Sequence, residues 1–114
     1  MQLEVRDEGK ILIVKPVIKR LDASIAPRFK VELVDLITKC EKEAIILNLD
    51  EVDFIDSSGL AAIIACLKAL GRKRELLISN AKDNVLSVFK ITKLDKILQI
   101  FPTEKEAIMN WSNI

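Results

Sequence analysis

The first part of the chain has the hydrophobic pattern of two β-strands. The segment "QLEVR" (2–6) alternates apolar and polar residues, which is the period of a strand buried on one face. The segment "KILIVKPVI" (10–18) is a nearly continuous apolar run, and Glu8 and Gly9 favour a turn before it. The pattern predicts two strands joined as a hairpin.

An amphipathic helix is predicted next. It starts in "DASIAP" (22–27), where Asp22 or Ser24 is expected to cap the helix and Pro27 fits its first turn. The residues that recur at helical spacing are Ile25, Phe29, Leu33, Leu36, Ile37 and Cys40.

Further strands and helices alternate along the rest of the chain. Short apolar runs predict strands at "AIILNL" (44–49), "ELLIS" (75–79) and "KILQIF" (96–101). Asn80 is expected to cap a helix that carries Val85, Leu86 and Phe89. Thr103 to Glu106 form a capping box for a last helix through Trp111. This alternation predicts an α/β fold: one domain over 1–114, with a mixed sheet of about four to five strands and about four helices.

The segment "FIDSSGLAAIIACLKAL" (54–70) predicts a helix that stops at Gly71. At 100° per residue, one face of this helix carries Leu60, Ile63, Ile64, Leu67 and Leu70, which are expected to face the core. The opposite face carries Ala61, Ala62, Ala65, Cys66 and Ala69. A surface helix normally has polar residues there, so either a neighbouring helix covers this small apolar face or a partner docks on it.

Composition narrows the class of protein. The chain has 114 residues, and its 18 basic against 17 acidic residues give a net charge of +1, so no direct nucleic-acid partner is expected. The basic run "GRKR" (71–74) lies where a helix would end, which favours a helix cap. Cys40 and Cys66 lack metal-ligand spacing and indicate reduced thiols. With no signal peptide and no apolar run long enough for a membrane, the expectation is a soluble cytoplasmic protein.

Several catalytic arrangements are excluded by the residues themselves. The chain has no histidine, so a Ser-His-Asp triad is impossible. No Walker loop or Gly-x-Gly-x-x-Gly motif occurs, and Ile55 stands where a Gly-x-Ser-x-Gly elbow around Ser57 would need glycine. Asp50, Asp53 and Asp56 suit a Mg²⁺ ion in principle, but turn formation and helix capping explain them more simply. No catalytic residue, cofactor or metal is therefore expected.

Between the strand and the helix, Asp56-Ser57-Ser58-Gly59-Leu60 follows "IILNLDEVDFI" (45–55). This piece resembles the signature of the STAS domain, the fold of bacterial anti-sigma factor antagonists. The resemblance spans nearly the whole chain, since "LDASIAP" (21–27) and "VFKITKLDKILQIF" (88–101) also look like segments of that family. Two positions depart from the family pattern: Lys19 precedes Arg20-Leu21-Asp22 where the family often has glycine, and Lys93 replaces the glycine of Thr-Gly-Leu.

The resemblance implies a switch. In such proteins the serine directly after the aspartate, here Ser57, is phosphorylated by a partner that is both anti-sigma factor and serine kinase, and a metal-dependent serine phosphatase reverses this. The unphosphorylated antagonist binds the kinase and frees the sigma factor. A monomer or weak dimer without membrane attachment is expected. The predicted partner-binding residues are Asp22, Asp56, Ser57, Ser58, Gly59, Ala61, Ala62 and Ala65.

Two other functions compete with this one. The same fold could serve as an interaction module in another signalling assembly, or as a relative of transporter-attached domains, without sigma-factor control. An enzyme that transfers phosphate through Asp56 is the third hypothesis, although no general base or nucleotide loop is evident.

Overall fold

The computed structural model describes residues 1–112 and confirms the predicted α/β fold with a mixed sheet. Its strands are β1 (Gln2–Glu8), β2 (Ile11–Val17), β3 (Arg20–Leu21), β4 (Ala44–Asn48), β5 (Phe54–Ile55), β6 (Glu75–Ser79) and β7 (Gln99–Phe101). Its helices are α1 (Ala26–Lys39), α2 (Ser57–Leu70), α3 (Asp83–Ile91) and α4 (Glu104–Asn110).

Five strands form the main sheet in the order β1-β2-β4-β6-β7, and β3 pairs separately with β5. The hairpin of β1 and β2 is confirmed: these strands are antiparallel, and Glu8 lies opposite Ile11 across a tight turn. Gly9 in this turn has a φ of +74°, a value that glycine adopts without steric cost. The other neighbours in the main sheet are parallel, so helices connect β2 to β4 and β4 to β6.

The helices cover the two faces of the sheet unequally. On one face α1, α2 and α3 enclose the larger core, where Phe29 of α1 and Phe89 of α3 are completely buried. The other face is covered by the short helix α4, whose Ala107 packs in a smaller cluster with Ile46 and Leu77. Successive residues of β4 alternate between the two cores, which explains why this strand is apolar at nearly every position.

Two predicted helix caps are wrong. Helix α1 begins after Ile25, whose side chain makes no capping hydrogen bond. The Asp22 side chain forms a turn of its own, and only the Asp22 carbonyl oxygen accepts from the Ala26 N–H, at 2.8 Å. Helix α3 begins after Lys82 rather than Asn80, again without a side-chain cap. Asn80 instead takes a left-handed conformation, with a φ of 60°, where β6 ends.

The last strand and helix are shorter than predicted. Residues Leu94–Lys96 form a 3₁₀ turn, so the strand comprises only Gln99–Phe101. Thr103 caps α4 as predicted, since its side chain accepts from the Glu106 N–H at 3.1 Å, but the helix ends at Asn110 instead of Trp111. Lys93 has a left-handed φ of 62°, which gives a physical reason for the glycine that the family pattern has there.

The end of α2 is a capped helix terminus, as the basic run predicts. Arg74 donates to the carbonyls of Ile37 and Cys40 at 3.0 Å each, and to that of Leu70 at 3.4 Å. One guanidinium thus satisfies the carboxyl-terminal ends of both α1 and α2. Both cysteines are free thiols, and burial raises the pKa of Cys66 to about 12. Across residues 1–112, every helix is too short or too polar to span a bilayer.

Candidate phosphorylation and partner-binding site

The two short strands bring the predicted site together. In the parallel pair of β3 and β5, Arg20 lies beside Phe54 and Leu21 beside Ile55. The next residues, Asp22 and Asp56, therefore leave the pair at the same end. The Asp56 N–H points back to the Leu21 carbonyl, at 3.4 Å. Neither short strand was predicted from the sequence, because two residues are too few to show a period.

Asp56 starts helix α2. Its carboxylate accepts from the Gly59 N–H at 3.1 Å, and its carbonyl accepts from the Leu60 N–H at 3.0 Å. An aspartate at this position satisfies a backbone donor that the helix cannot satisfy itself, and its negative charge interacts favourably with the helix dipole. The predicted capping role of Asp56 is confirmed.

Gly59 allows α2 to begin directly against β3. A Cβ at this position would lie 2.3 Å from the Leu21 carbonyl oxygen and 2.8 Å from Ile55 Cγ1. Distances this short are not tolerated, so any larger residue would push the helix away from the strand. Gly59 is buried, and its contribution to the site is to set the position of the first helical turn.

Ser57 and Ser58 are the first two residues of α2. The Ser57 side chain is exposed and that of Ser58 is half-buried. Between residues 1 and 112, neither hydroxyl makes a hydrogen bond. Ser57 therefore presents a free hydroxyl to solvent at the positive end of a helix of 14 residues.

Asp22 forms a compact polar turn where β3 ends, near the start of α2. Its carboxylate accepts from the Ser24 hydroxyl at 2.6 Å, from the Ser24 N–H at 3.1 Å, and from Arg20 Nε at 3.2 Å. The Ser24 hydroxyl, followed by the Arg20 guanidinium, lowers the pKa of Asp22 below its ordinary value. The carboxylate therefore stays ionised over the physiological pH range.

An arginine stacks on an aromatic ring at the rim of the site. The Arg20 guanidinium carbon lies 4.1 Å from the centroid of the Phe54 ring, and both side chains are exposed. Arginine and aromatic residues are enriched among the residues that dominate binding energy at interfaces. Sequence reasoning missed this pair, since Phe54 has no motif and its partner is far away in the chain.

The predicted small outer face of α2 is only partly correct. Ala61 is exposed and Ala65 and Ala69 are half-buried, but Ala62 and Cys66 have only 4% and 0% of their surface exposed. On the opposite face Leu60, Ile63 and Leu70 are buried as predicted, whereas Ile64 and Leu67 are half-buried. The reason is that α1 packs alongside α2, and small residues allow two helices to approach closely.

The structure thus decides between the two explanations of the small face. A neighbouring helix covers the stripe of Ala62 and Cys66, while Ala61 stays accessible beside Ser58. A shallow groove remains between the starts of α1 and α2. Its lining consists of Ala23, Ala26, Pro27, Lys30, Ser58, Ala61 and Ala62. Gly59 and Ala62 are too deeply buried to offer more than a small edge to a partner.

The three aspartates near the end of β4 do not converge. Asp53 forms an ion pair with Lys82, which lowers the pKa of Asp53, and its carbonyl accepts from the Asn84 side chain. Asp50 lies 4.0 Å from Lys15, and Asp56 caps α2. Within the described part of the chain, no three His, Cys, Asp or Glu residues are grouped in a way that could hold a metal ion.

Together these features define a small α/β domain whose accessible chemistry is an exposed serine at a helix N-terminus, near an acidic turn. The family model that describes the STAS domain matches residues 2–107. The chain belongs to the STAS domain family.

Relatives of the chain carry a consistent description. It is 34% identical to the anti-sigma-B factor antagonist of Listeria monocytogenes, over 99% of this chain and 96% of the relative. It is 27% identical to the anti-sigma F factor antagonist of Paenibacillus polymyxa, over 95% of this chain and 92% of the relative. A crystal structure of a candidate anti-sigma factor antagonist from Thermotoga maritima superposes with a TM-score of 0.86 at 28% identity, covering 94% of this chain and 92% of that one.

Proposed function

We propose that this protein is an anti-sigma factor antagonist that acts by binding and is switched off by phosphorylation of Ser57. The unphosphorylated form binds an anti-sigma factor that is also a serine kinase, which releases the sigma factor. A serine phosphatase restores the active form. The observation that carries the proposal is the exposed Ser57 hydroxyl at the start of α2, directly after Asp56; this hydroxyl makes no hydrogen bond within residues 1–112. The chain is similar to named anti-sigma factor antagonists over nearly its whole length, and this similarity supports the choice of an anti-sigma factor as the partner.

The fold is expected to tolerate a phosphate on Ser57. The hydroxyl is exposed, so the modification displaces no packed atoms. At the start of a helix, backbone N–H groups and the helix dipole interact favourably with an anion. Phosphorylation should therefore leave the folded structure intact and change only the surface that a partner meets.

The same phosphate is expected to prevent binding by local electrostatics. It adds a charge of about −1.5 to −2 next to the Asp56 carboxylate. A partner that brings one acidic group to ~5 Å of this phosphate would lose about 3 kcal/mol before screening, at an effective dielectric constant near 20. A loss of ~2.7 kcal/mol already reduces affinity about a hundredfold. No refolding step is needed.

The proposed contact surface surrounds Ser57. It includes Ser58 and Ala61 at the groove between the helices, the Asp22 turn, and the Arg20 and Phe54 stack at its rim. The nearby Arg20 already donates to Asp22, so it is not a free counter-charge for the phosphate. A partner that buries this surface would have to neutralise the phosphate itself or release it.

Mass spectrometry after incubation with the kinase and ATP tests the proposal. A kinase retained from the native cell by the purified chain should phosphorylate Ser57. Ser57→Ala should fold, bind the kinase and take no phosphate, whereas Ser58→Ala should still be phosphorylated. Ser24→Ala is a matched control, because Ser24 also follows an aspartate but is bonded to it. Phosphate on Ser58 or Ser24 alone, or undiminished labelling of Ser57→Ala, would overturn the assignment. Failure to retain any kinase would favour the interaction-module hypothesis.

A further inference from the structure

In the described chain, the outer edge of β1 is unpaired. β1 pairs with β2 along its whole length in continuous register, without a bulge, and in the region 1–112 no other strand lies beside it. Natural proteins protect such edges with charged side chains, lysine above all, with proline or with bulges, because the exposed N–H and C=O groups can bind another strand. β1 has the sequence "QLEVRDE", without lysine, proline or a bulge. Its charged residues are of both signs, so a second copy of the strand can pair with them.

The hairpin turn determines which backbone groups face outward. Gly9 and Lys10 form a two-residue turn, so the closing pair of Glu8 and Ile11 exchanges backbone hydrogen bonds. Hydrogen-bonded and non-hydrogen-bonded pairs then alternate along the ladder. The N–H and C=O groups of Leu3, Val5 and Asp7 therefore point away from β2, toward the open edge.

We infer that two copies of this chain form a symmetric dimer by antiparallel pairing of their β1 strands, centred on Val5. In this register Val5 faces Val5 of the second copy, and Leu3 faces Asp7 of the second copy. The Val5 pair and the two symmetry-related pairs of Leu3 and Asp7 each exchange two backbone bonds, which gives about six in total. Glu4 of each copy faces Arg6 of the other.

The charges on β1 favour this register over the two neighbouring ones. Centring the pairing on Glu4 would place Glu4 opposite Glu4, and centring it on Arg6 would place Arg6 opposite Arg6 and Glu4 opposite Glu8. Like charges directly opposite each other on neighbouring strands are destabilising, while opposite charges stabilise. Centring on Val5 creates two Glu4 to Arg6 pairs. Glu4 has no ion-pair partner in the described chain, whereas Arg6 is already held in place by Glu104 at 2.9 Å.

The other face of the strand provides an apolar contact. Val5 is 43% exposed and borders a groove against α1 that includes Leu36. In the dimer the two Val5 side chains lie side by side over these grooves and lose that exposure. The acidic residues of this groove are already paired within α1: Glu32 with Arg28 and Asp35 with Lys39, each at 3.0 Å. The dimer therefore brings no unpaired carboxylate of the groove to its two-fold axis.

The dimer is expected to be weak and concentration-dependent. One pair of seven-residue strands contributes less contact area than the ~1,600 Å² of a standard interface. This inference goes beyond the proposed function and needs only the purified chain for its test. Its outcome is therefore independent of any kinase.

Sedimentation analysis between about 10 µM and 1 mM, the range in which weak complexes dissociate, tests the dimer. The unmodified chain should shift from monomer toward dimer. E4R and R6E each place like charges opposite each other twice, and should weaken association at least about tenfold. The double variant E4R/R6E should restore it, and an equimolar mixture of the two single variants should form heterodimers. V5P removes an outward N–H without breaking a bond to β2, and should give a monomer.

Thermal unfolding of each variant shows whether it is folded. R6E also loses the contact between Arg6 and Glu104. Glu4 has no ion pair among residues 1–112, so E4R is the decisive single variant. A chain that is monomeric at about 1 mM would overturn the inference. So would an E4R variant that associates like the unmodified chain, or a double variant that fails to recover association.

Discussion

Two turns of this molecule begin alike and end differently. β3 and β5 run parallel, and each is followed by an aspartate and then by serine: Asp22 and Ser24 in one turn, Asp56 and Ser57 in the other. Asp22 bonds to the hydroxyl of its own serine, and α1 starts later without a side-chain cap. Asp56 bonds instead to the Gly59 N–H, and α2 starts at once.

The difference determines which serine hydroxyl is free. The Ser24 hydroxyl donates to a carboxylate at 2.6 Å, whereas the Ser57 hydroxyl makes no hydrogen bond within residues 1–112. Both side chains are exposed, so exposure alone does not distinguish them. The two serines differ because α2 starts immediately after Asp56, so the Asp56 carboxylate accepts from the Gly59 N–H and not from a serine hydroxyl. A local change in capping thus separates a structural serine from a candidate switch.

The largest expected effect concerns the packing that holds the two turns together. Ala62→Glu should destabilise the protein by about 4 kcal/mol, because it places a charge between α1 and α2, where Ala62 is 4% exposed. Ala61→Glu, one residue away on the exposed side, should cost little. Chemical denaturation of both variants measures this contrast. Equal losses of stability would mean that the two positions are equivalent and that the groove is placed wrongly.

The next effect tests how closely the second turn approaches the first. Gly59→Ala should cost about 3 kcal/mol, since its Cβ would lie 2.3 Å from the Leu21 carbonyl oxygen. Ser58→Ala is the control: the substitution adds no atom and removes a hydroxyl that makes no hydrogen bond within residues 1–112, so it should cost little. Thermal or urea unfolding compares the two. A Gly59→Ala variant as stable as Ser58→Ala would contradict the close approach.

A smaller effect is expected from the cap itself. Asp56→Ala should lower the free energy of unfolding by about 1 kcal/mol, because the Gly59 N–H loses its acceptor. Asp56→Asn keeps an acceptor of the same shape and should lose much less. If both substitutions had the same effect in urea unfolding, the charge or another contact of Asp56 would matter more than capping.

The smallest effect is a change in titration at the first turn. The Ser24 hydroxyl is the main cause of the lowered pKa of Asp22, so Ser24→Ala should raise that pKa toward its ordinary value. A carboxylate with a lowered folded-state pKa stabilises the fold above the unfolded pKa of ~3.9, and the stabilisation is lost as pH falls through the folded value. Carboxyl NMR titration measures the shift. An unchanged Asp22 pKa would show that Arg20 or the Ser24 backbone N–H dominates the lowering.

Sequence patterns predicted the strands, turns and helices that are determined by residues close together in the chain. The hairpin around Gly9, the strand at 75–79 and the helix that ends before Gly71 each depend on residues adjacent in the chain. The inward position of Ala62 could not be predicted, because periodicity defines two faces of α2 but not which neighbour covers each one. Asn80 failed as a cap for a similar reason: its left-handed conformation depends on the end of β6 and the loop after it.

The candidate site was predicted in part. Asp56, Ser57 and Gly59 form a contiguous motif whose strand-to-helix position is visible in the sequence. The contact between Gly59 and Leu21, and the stack of Arg20 on Phe54, join segments more than 30 residues apart and leave no local signal. These long-range contacts explain why glycine is needed in the motif and why β3 borders the site.

The affinity of the anti-sigma partner for the chain, before and after phosphorylation of Ser57, tests the central claim most directly. Calorimetry should show tight binding of the unmodified chain and of Ser57→Ala, and binding at least about a hundredfold weaker for the phosphorylated chain. The circular dichroism spectrum and melting temperature should stay close to those of the unmodified chain. Affinities that agree within about threefold, or a phosphorylated chain that has unfolded, would contradict a switch made by local charge.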